Sequence, residues 1–159
     1  MIIKMETVCT PLIYRPTNSI AKILREDPFS KTFFIGAFPR DQFPIIKSYP
    51  ASFVINTDPS YKEGEHWLGF YFDRNKTCYF FDSFGNSPEY FNLGKYTKTF
   101  SNSVEYNEDQ IQGFFTNTCG HYVVFFILMI NRGFSIRKIL SCFNLKNFDL
   151  NDFRISFID

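Results

Sequence analysis

Apolar residues along this chain fall into short blocks separated by proline, glycine and Asx-type turns, and the blocks differ in kind. Thr17-Asn18-Ser19 stands ahead of IAKILRED, which predicts a short capped helix that stops before Pro28. KTFFIGAFPRDQFP predicts a short strand followed by a turn at Pro39-Arg40-Asp41. Pro50 leads into ASFVINT, a β-branched and aromatic run closed by Asp58-Pro59, which predicts another strand. The clearest strand pair is HWLGFYFD, residues 66–73, with TCYFFD, residues 77–82, joined by Arg74-Asn75-Lys76. Pro88 is expected to open a helix that runs to about Phe100, with a short strand near Ser103–Tyr106 after it.

The run CGHYVVFFILMI, from Cys119 to about Asn131, is apolar almost all round and predicts a buried central helix that Gly133 ends. Ser135 is expected to cap a further helix, IRKILSCF, and Asn151 a last short amphipathic one in LNDFRISFI. The expected fold class is α+β: a small, mostly antiparallel sheet packed against the buried helix that carries Cys119. The length of 159 residues, with no repeat and no long linker, fits one domain spanning 1–159.

Chemistry-bearing residues gather around two of these blocks. If the hairpin turns on three residues, Asp73 pairs with Thr77 and Leu68 faces Asp82. His66 and Asp82 then share a sheet face one diagonal step apart, about 7–8 Å at the backbone, a gap their side chains close. A two-residue turn shifts the register by one and sets them on opposite faces. Both registers are open at this level. In the favourable one, the carboxylate holds the imidazole in the tautomer that presents a free nitrogen to a thiol.

Cys119 follows Asn117-Thr118, either of which suits a helix cap, and the N–H groups and dipole of a helix start favour a thiolate. The same N–H groups point to where an acyl oxyanion develops, and Gln112, seven residues earlier, is a candidate second donor. Taken singly, each residue has a plainer reading. Cysteine is among the most buried residue types, a histidine beside a tryptophan is commonly structural, and Asp82 before Ser83 suits a turn. His121 lies about 200° around the helix from Cys119 and is a poor partner for it. Ser83 in DSFG is not in a nucleophile-elbow motif.

Composition narrows the field. Net charge is +1, with seven basic and five acidic residues in 1–60 and ten and eleven in 61–159. That even spread gives no support for nucleic-acid binding. Aromatic residues make up 20 % of the chain, which suits a compact core of bulky rings. The opening MIIKMETVCTPLIY lacks the apolar core of a secretory signal, and the longest apolar run, Tyr122–Ile130, is far below the ~20 residues that span a bilayer. The expectation is a soluble intracellular protein with no membrane partner. Cys9, Cys78, Cys119 and Cys142 show no C-x-x-C spacing, so neither a zinc site nor a disulfide framework is expected, and no cofactor.

The order HW…DSFG…QG…CG resembles the adenain-type cysteine peptidases: the adenovirus maturation protease and its relatives in Polinton/Maverick elements and virophages, with the SUMO-specific Ulp proteases more distant. The likeness runs from INTDPS at 55–60 through GEHWLGFYFD and YFFDSFG to QIQGFFTNTCGHYVVFF and INRGFS. CGHY with its apolar helix and RGFS looks nearest the Polinton and virophage members. The resemblance implies His66 as general base, Asp82 as its orienting acid and Cys119 as nucleophile. It implies Gln112 in the oxyanion hole, with Trp67 as a substrate-side aromatic whose plainer reading is core packing. It further implies a polypeptide substrate, a capsid or other virion precursor cut after small residues such as glycine, and work in the host cytoplasm or nucleus or in the virion. The alternatives are an isopeptidase acting on ubiquitin-like or SUMO conjugates, an acetyltransferase on the same triad, and an inactive capsid-binding scaffold. A monomer is expected, and the sequence is silent on any activating peptide.

Overall fold

Alternation with period two along the central hairpin sends its side chains into two separate cores. The structure is a computed structural model that describes residues 17–156, with only the backbone of Thr17 and Asn18; Cys9 and the opening segment lie outside the described residues. Strands β1 (Phe34–Phe38), β2 (Ala51–Asn56), β3 (Trp67–Phe72), β4 (Thr77–Phe81) and β5 (Ser103–Tyr106) form one sheet in that order. Trp67, Tyr71, Tyr79 and Phe81 face the core shared with helices α1 (Thr17–Glu26) and α3 (Cys119–Ile130). Leu68, Phe70, Phe72, Cys78 and Phe80 face the opposite core, closed by Leu93, Tyr96 and Phe43. Both faces are covered, which is why every residue of ASFVIN is buried.

The hairpin adopts the three-residue turn. Gly69 pairs with Phe81 and Phe72 with Cys78, and the Asp73 N–H donates to the Thr77 carbonyl at 3.0 Å. Asp73 Oδ1 also accepts from the N–H groups of Asn75 and Thr77, at 2.9 Å each, and Lys76 takes a left-handed φ of 60°. An Asx turn followed by a left-handed residue is the geometry of a three-residue loop. The register that sets His66 beside Asp82 is therefore built into the turn.

The antiparallel expectation holds for β2–β3–β4, whereas both outer pairs, β1 with β2 and β4 with β5, run parallel. The β4-to-β5 connection crosses the sheet and supplies the second covering layer. It is also where the predicted helix from Pro88 to Phe100 breaks in two. A 3₁₀ turn, Pro88–Phe91, ends at Asn92, whose φ of 60° is left-handed, and α2 (Gly94–Phe100) starts afresh. Asparagine tolerates that conformation, and it stops the first turn from continuing.

Beyond α3, Gly133 takes a φ of +88° and the chain leaves the helix. Ser135 caps α4 (Ile136–Leu140), its Oγ accepting from the Lys138 N–H at 3.1 Å. Helix α5 (Phe148–Ile155) starts earlier than expected, because Asn147 rather than Asn151 is its cap. Asn151 lies inside the helix, fully buried, where its amide bonds the Ile111 and Asn144 carbonyls and the Asn144 N–H. Helix α1 likewise takes in Thr17-Asn18-Ser19 instead of starting after them. Among the described residues no helix is long and apolar enough to cross a membrane, and no cluster of side chains could hold a metal ion.

Helix α3 lies directly on β3 because Gly69 leaves room for it. A Cβ at Gly69 would stand 2.8 Å from Phe126 Cδ1, and Phe126 is fully buried and stacked on Phe81 with centroids 4.9 Å apart. The ring has nowhere to retreat. Gly69→Ala is expected to cost about 2 kcal/mol through overpacking, lowering Tm by about 4–8 °C for a chain of this size. Thermal unfolding followed by circular dichroism checks this, and an unchanged Tm would mean that α3 does not press on β3 at this point.

Candidate active site

Asp82 stands one residue past the end of β4 and is fully buried. A carboxylate with no solvent contact requires donors from the protein, and Asp82 has four. Oδ1 accepts from His66 Nε2 at 2.6 Å and from the Phe84 N–H at 3.1 Å. Oδ2 accepts from the Asn86 N–H and Asn86 Nδ2, at 3.1 and 2.9 Å. The backbone is clamped as well: the Asp82 N–H donates to Asn107 Oδ1 at 3.0 Å, and Asn107 Nδ2 returns a bond to the Asp82 carbonyl. Asn107 follows β5 directly, so the parallel outer pair positions the carboxylate.

The turn after Asp82 depends on a glycine. Gly85 has a φ of +77°, and a Cβ there would meet the backbone of Asp109 and Gln110 at 2.8–2.9 Å. Backbone cannot yield as a side-chain tip can, so DSFG and the 108–112 segment interlock. The Ser83 carbonyl accepts from the Ile111 and Gln112 N–H groups. Ser83 Oγ is buried and donates to Gln112 Oε1 at 2.5 Å.

His66 immediately precedes β3 and keeps 9 % of its surface exposed. Nε2 donates to Asp82 Oδ1, which leaves Nδ1 as the ring nitrogen not engaged by the carboxylate. Two rings stack on the imidazole, Phe84 at 4.9 Å and 30° and Phe91 at 6.4 Å and 24°. Burial alone would lower the imidazole pKa. The hydrogen bond to Asp82, then the hydrogen bond and charge of Cys119, outweigh it and raise the pKa to about 9. His66 is therefore held as an imidazolium at neutral pH.

Cys119 is the first residue of α3 and 8 % exposed. Neither expected side-chain cap forms at this helix start. Thr118 makes no cap and donates its hydroxyl to Asp152 Oδ1 at 3.1 Å instead. The first turn of α3 thus has no capping side chain over its N-terminal N–H groups.

Gln112 is buried, and its amide orientation is fixed by its partners. The Thr116 carbonyl can only accept, so the atom 3.0 Å from it is Nε2, while Oε1 takes the Ser83 hydroxyl. Nε2 carries two protons; the Thr116 carbonyl takes one, and the longer contact to Thr116 Oγ1, 3.3 Å, is the replaceable one.

Asp152 in α5 ties down the segment between Gln112 and Cys119. Its Oδ2 accepts from the Gly113 N–H at 2.9 Å and Thr116 Oγ1 at 3.2 Å. Its Oδ1 accepts from Thr118 Oγ1 at 3.1 Å and Tyr122 O–H at 2.7 Å. Burial first, then the Asp152 hydrogen bond and charge, push the Tyr122 phenol well above its usual pKa, so it remains a donor. Sequence reasoning missed both Asn107 and Asp152, and nothing in their local spacing marks them.

Among the remaining candidates, Trp67 keeps 8 % of its surface exposed and packs in the α3-side core, next to Gly120. His121 is buried within α3. The structure thus brings His66, Asp82 and Cys119 together and sets Gln112 on the fixed segment leading to Cys119.

The family model described as Adenovirus endoprotease matches residues 34–138. A 59-residue stretch is 41 % identical to the "Protease" of Fowl adenovirus A serotype 1 (strain CELO / Phelps), covering 35 % of this chain and 28 % of that protein, so the match spans under a third of that relative. A crystal structure of an ASFV protease superposes with a TM-score of 0.54 at 20 % identity, covering 91 % of this chain and 68 % of that one. For the SUMO protease Ulp1 the TM-score is 0.48 at 15 % identity, covering 94 % and 78 %. The family match extends over most of the chain and takes in His66, Asp82, Gln112 and Cys119, and the chain belongs to the Adenovirus endoprotease family.

Proposed function

We propose that this chain is a cysteine endopeptidase in which Cys119 is the nucleophile, His66 the proton carrier and Asp82 its orienting carboxylate. The observation that carries the reading is the 2.6 Å bond from His66 Nε2 to the fully buried Asp82, with Cys119, at a helix start, close enough to act on the imidazole by hydrogen bond and charge. An isolated structural cysteine needs none of that arrangement. It is what nucleophilic catalysis by a thiol requires.

In the proposed reaction the Cys119 proton resides on His66, and the thiolate attacks the scissile carbonyl carbon. The carbonyl oxygen gains the electron pair and is met by the Cys119 N–H and the replaceable proton of Gln112 Nε2. As the C–N bond breaks, His66 gives its proton to the departing amine, leaving a thioester on Cys119. Water then attacks the thioester and passes a proton to His66. The Cys119 sulfur leaves as thiolate and the acid product is released.

Family membership supports a polypeptide substrate, and we infer a capsid or other virion precursor, cut after small residues such as glycine, in the infected cell or the virion. CGHY with its apolar helix and RGFS support placing the chain near the Polinton and virophage members. Charge supplies no reason to add a nucleic-acid requirement, since the net value is +1.

Cys119→Ala is expected to abolish cleavage of a co-expressed precursor while the far-ultraviolet dichroism stays that of the wild type. Full cleavage by this variant would overturn the proposal. Preference for ubiquitin-like conjugates over linear precursors would change the substrate class and leave the chemistry in place. The raised pKa of His66 sets a second expectation. The group is protonated below about 9 and loses its proton as pH rises through that value, so kcat/KM should fall there as the acid for the leaving amine disappears. Asp82→Asn removes a group that raises this pKa and leaves the burial that lowers it, so the falling limb should move to lower pH. A limb that stays near 9 in that variant would contradict the assigned role of Asp82.

A further inference from the structure

The segment between Gln112 and Cys119 holds large apolar side chains in water: Phe114 is 72 % exposed and Phe115 fully so. Phe114 is nonetheless ordered by contact. Its ring stacks on Phe84 with centroids 5.7 Å apart and planes 12° apart, and Phe84 in turn stacks on the His66 imidazole. A ladder of ring faces thus leads from the proton carrier out to solvent. We propose that Phe84 and Phe114 form a specificity subsite that holds an apolar side chain of the substrate on the leaving-group side of the scissile bond, at one of the two residues after it. The inference rests on the proteolytic reading above.

The side follows from the chemistry. His66 must deliver its proton to the departing amine, so the polypeptide that leaves passes the imidazole, whereas the acyl half stays on Cys119. Phe84 covers one face of that imidazole, and Phe114 extends the same surface outward. The class of side chain follows from the surface. Ring faces carry no formal charge, and covering exposed apolar area with apolar area is the favourable exchange.

Order in the backbone strengthens the case. Asp152 fixes the Gly113 N–H on one side of Phe114 and the Thr116 and Thr118 hydroxyls on the other. The exposed ring is therefore held in place before any substrate arrives, and a preorganised surface loses little freedom on binding.

The test is a peptide mixture randomised on both sides of the cleaved bond, digested by the wild type, by Phe114→Ser and by Phe134→Ser, with products read by mass spectrometry. Phe134 is an exposed aromatic beyond the far end of α3 and serves as the control. For the wild type, Phe, Leu, Ile and Tyr should be enriched about tenfold at one of the two positions after the bond, a discrimination typical of apolar subsites. The enrichment should vanish in Phe114→Ser and persist in Phe134→Ser. Flat or charge-preferring cleavage by the wild type, or a preference that survives Phe114→Ser, would overturn the inference alone. A wild type that cleaves nothing would overturn the proteolytic reading and the inference with it.

Discussion

Burying the Asp82 carboxylate is the constraint around which the rest of the site is arranged. A charge removed from water is tolerated only when its lone pairs are met by donors in good geometry, and losing one partner leaves a penalty of several kcal/mol. The donors come from two parts of the fold and the backbone clamp from a third. His66 arrives through the β3–β4 register, Phe84 and Asn86 through the tight turn at Gly85, and the backbone clamp through Asn107 after β5. The parallel edge pair, the glycine turn and the hairpin loop thus serve one carboxylate. It in turn fixes which nitrogen of His66 is engaged and which is left over.

A second buried carboxylate, Asp152, does for the Gln112–Cys119 segment what Asp82 does for the imidazole. A helix near the end of the chain reaches back and gathers one backbone N–H and three hydroxyls. Ser83 joins the two systems, since its carbonyl holds the Gln112 backbone and its hydroxyl holds the Gln112 side chain. The proposed nucleophile and oxyanion donor are therefore set relative to each other by a continuous hydrogen-bonded frame. A displacement of about 1 Å can cost on the order of 100-fold in rate, so such rigidity has a catalytic consequence.

The parts of this arrangement that were legible in the sequence are those encoded locally. The strand pair HWLGFYFD and TCYFFD is one of these, although its register is open between two turns at that level. The Asp73–Thr77 bonds of the folded chain decide for the one that sets His66 and Asp82 on one face. The all-round apolar run marks α3, and the order of motifs marks the family. What escaped was encoded at a distance. Asn107 and Asp152 are single polar residues in polar surroundings, and only the folded chain shows what they hold. Asn147 and Asn151 are both plausible caps by type, and burial of Asn151 against Ile111 decides between them. The break at Asn92 and the parallel pairing of β5 likewise follow from wrapping the 88–100 segment over the second face of the sheet, which periodicity does not report.

The account's central claim is that the buried Asp82–His66 pair activates Cys119. Iodoacetamide labelling against pH, with each cysteine read by mass spectrometry in the wild type and in His66→Ala, tests it most directly. Cys142 is an exposed free thiol and Cys119 a nearly buried one, so access alone favours Cys142. An activated thiolate reverses that order: Cys119 should react at least about tenfold faster than Cys142 near pH 6, where an unassisted thiol of pKa about 8.5 is almost wholly protonated, and should lose the advantage in His66→Ala. A Cys119 that labels no faster than Cys142, or keeps its rate without His66, would contradict the account.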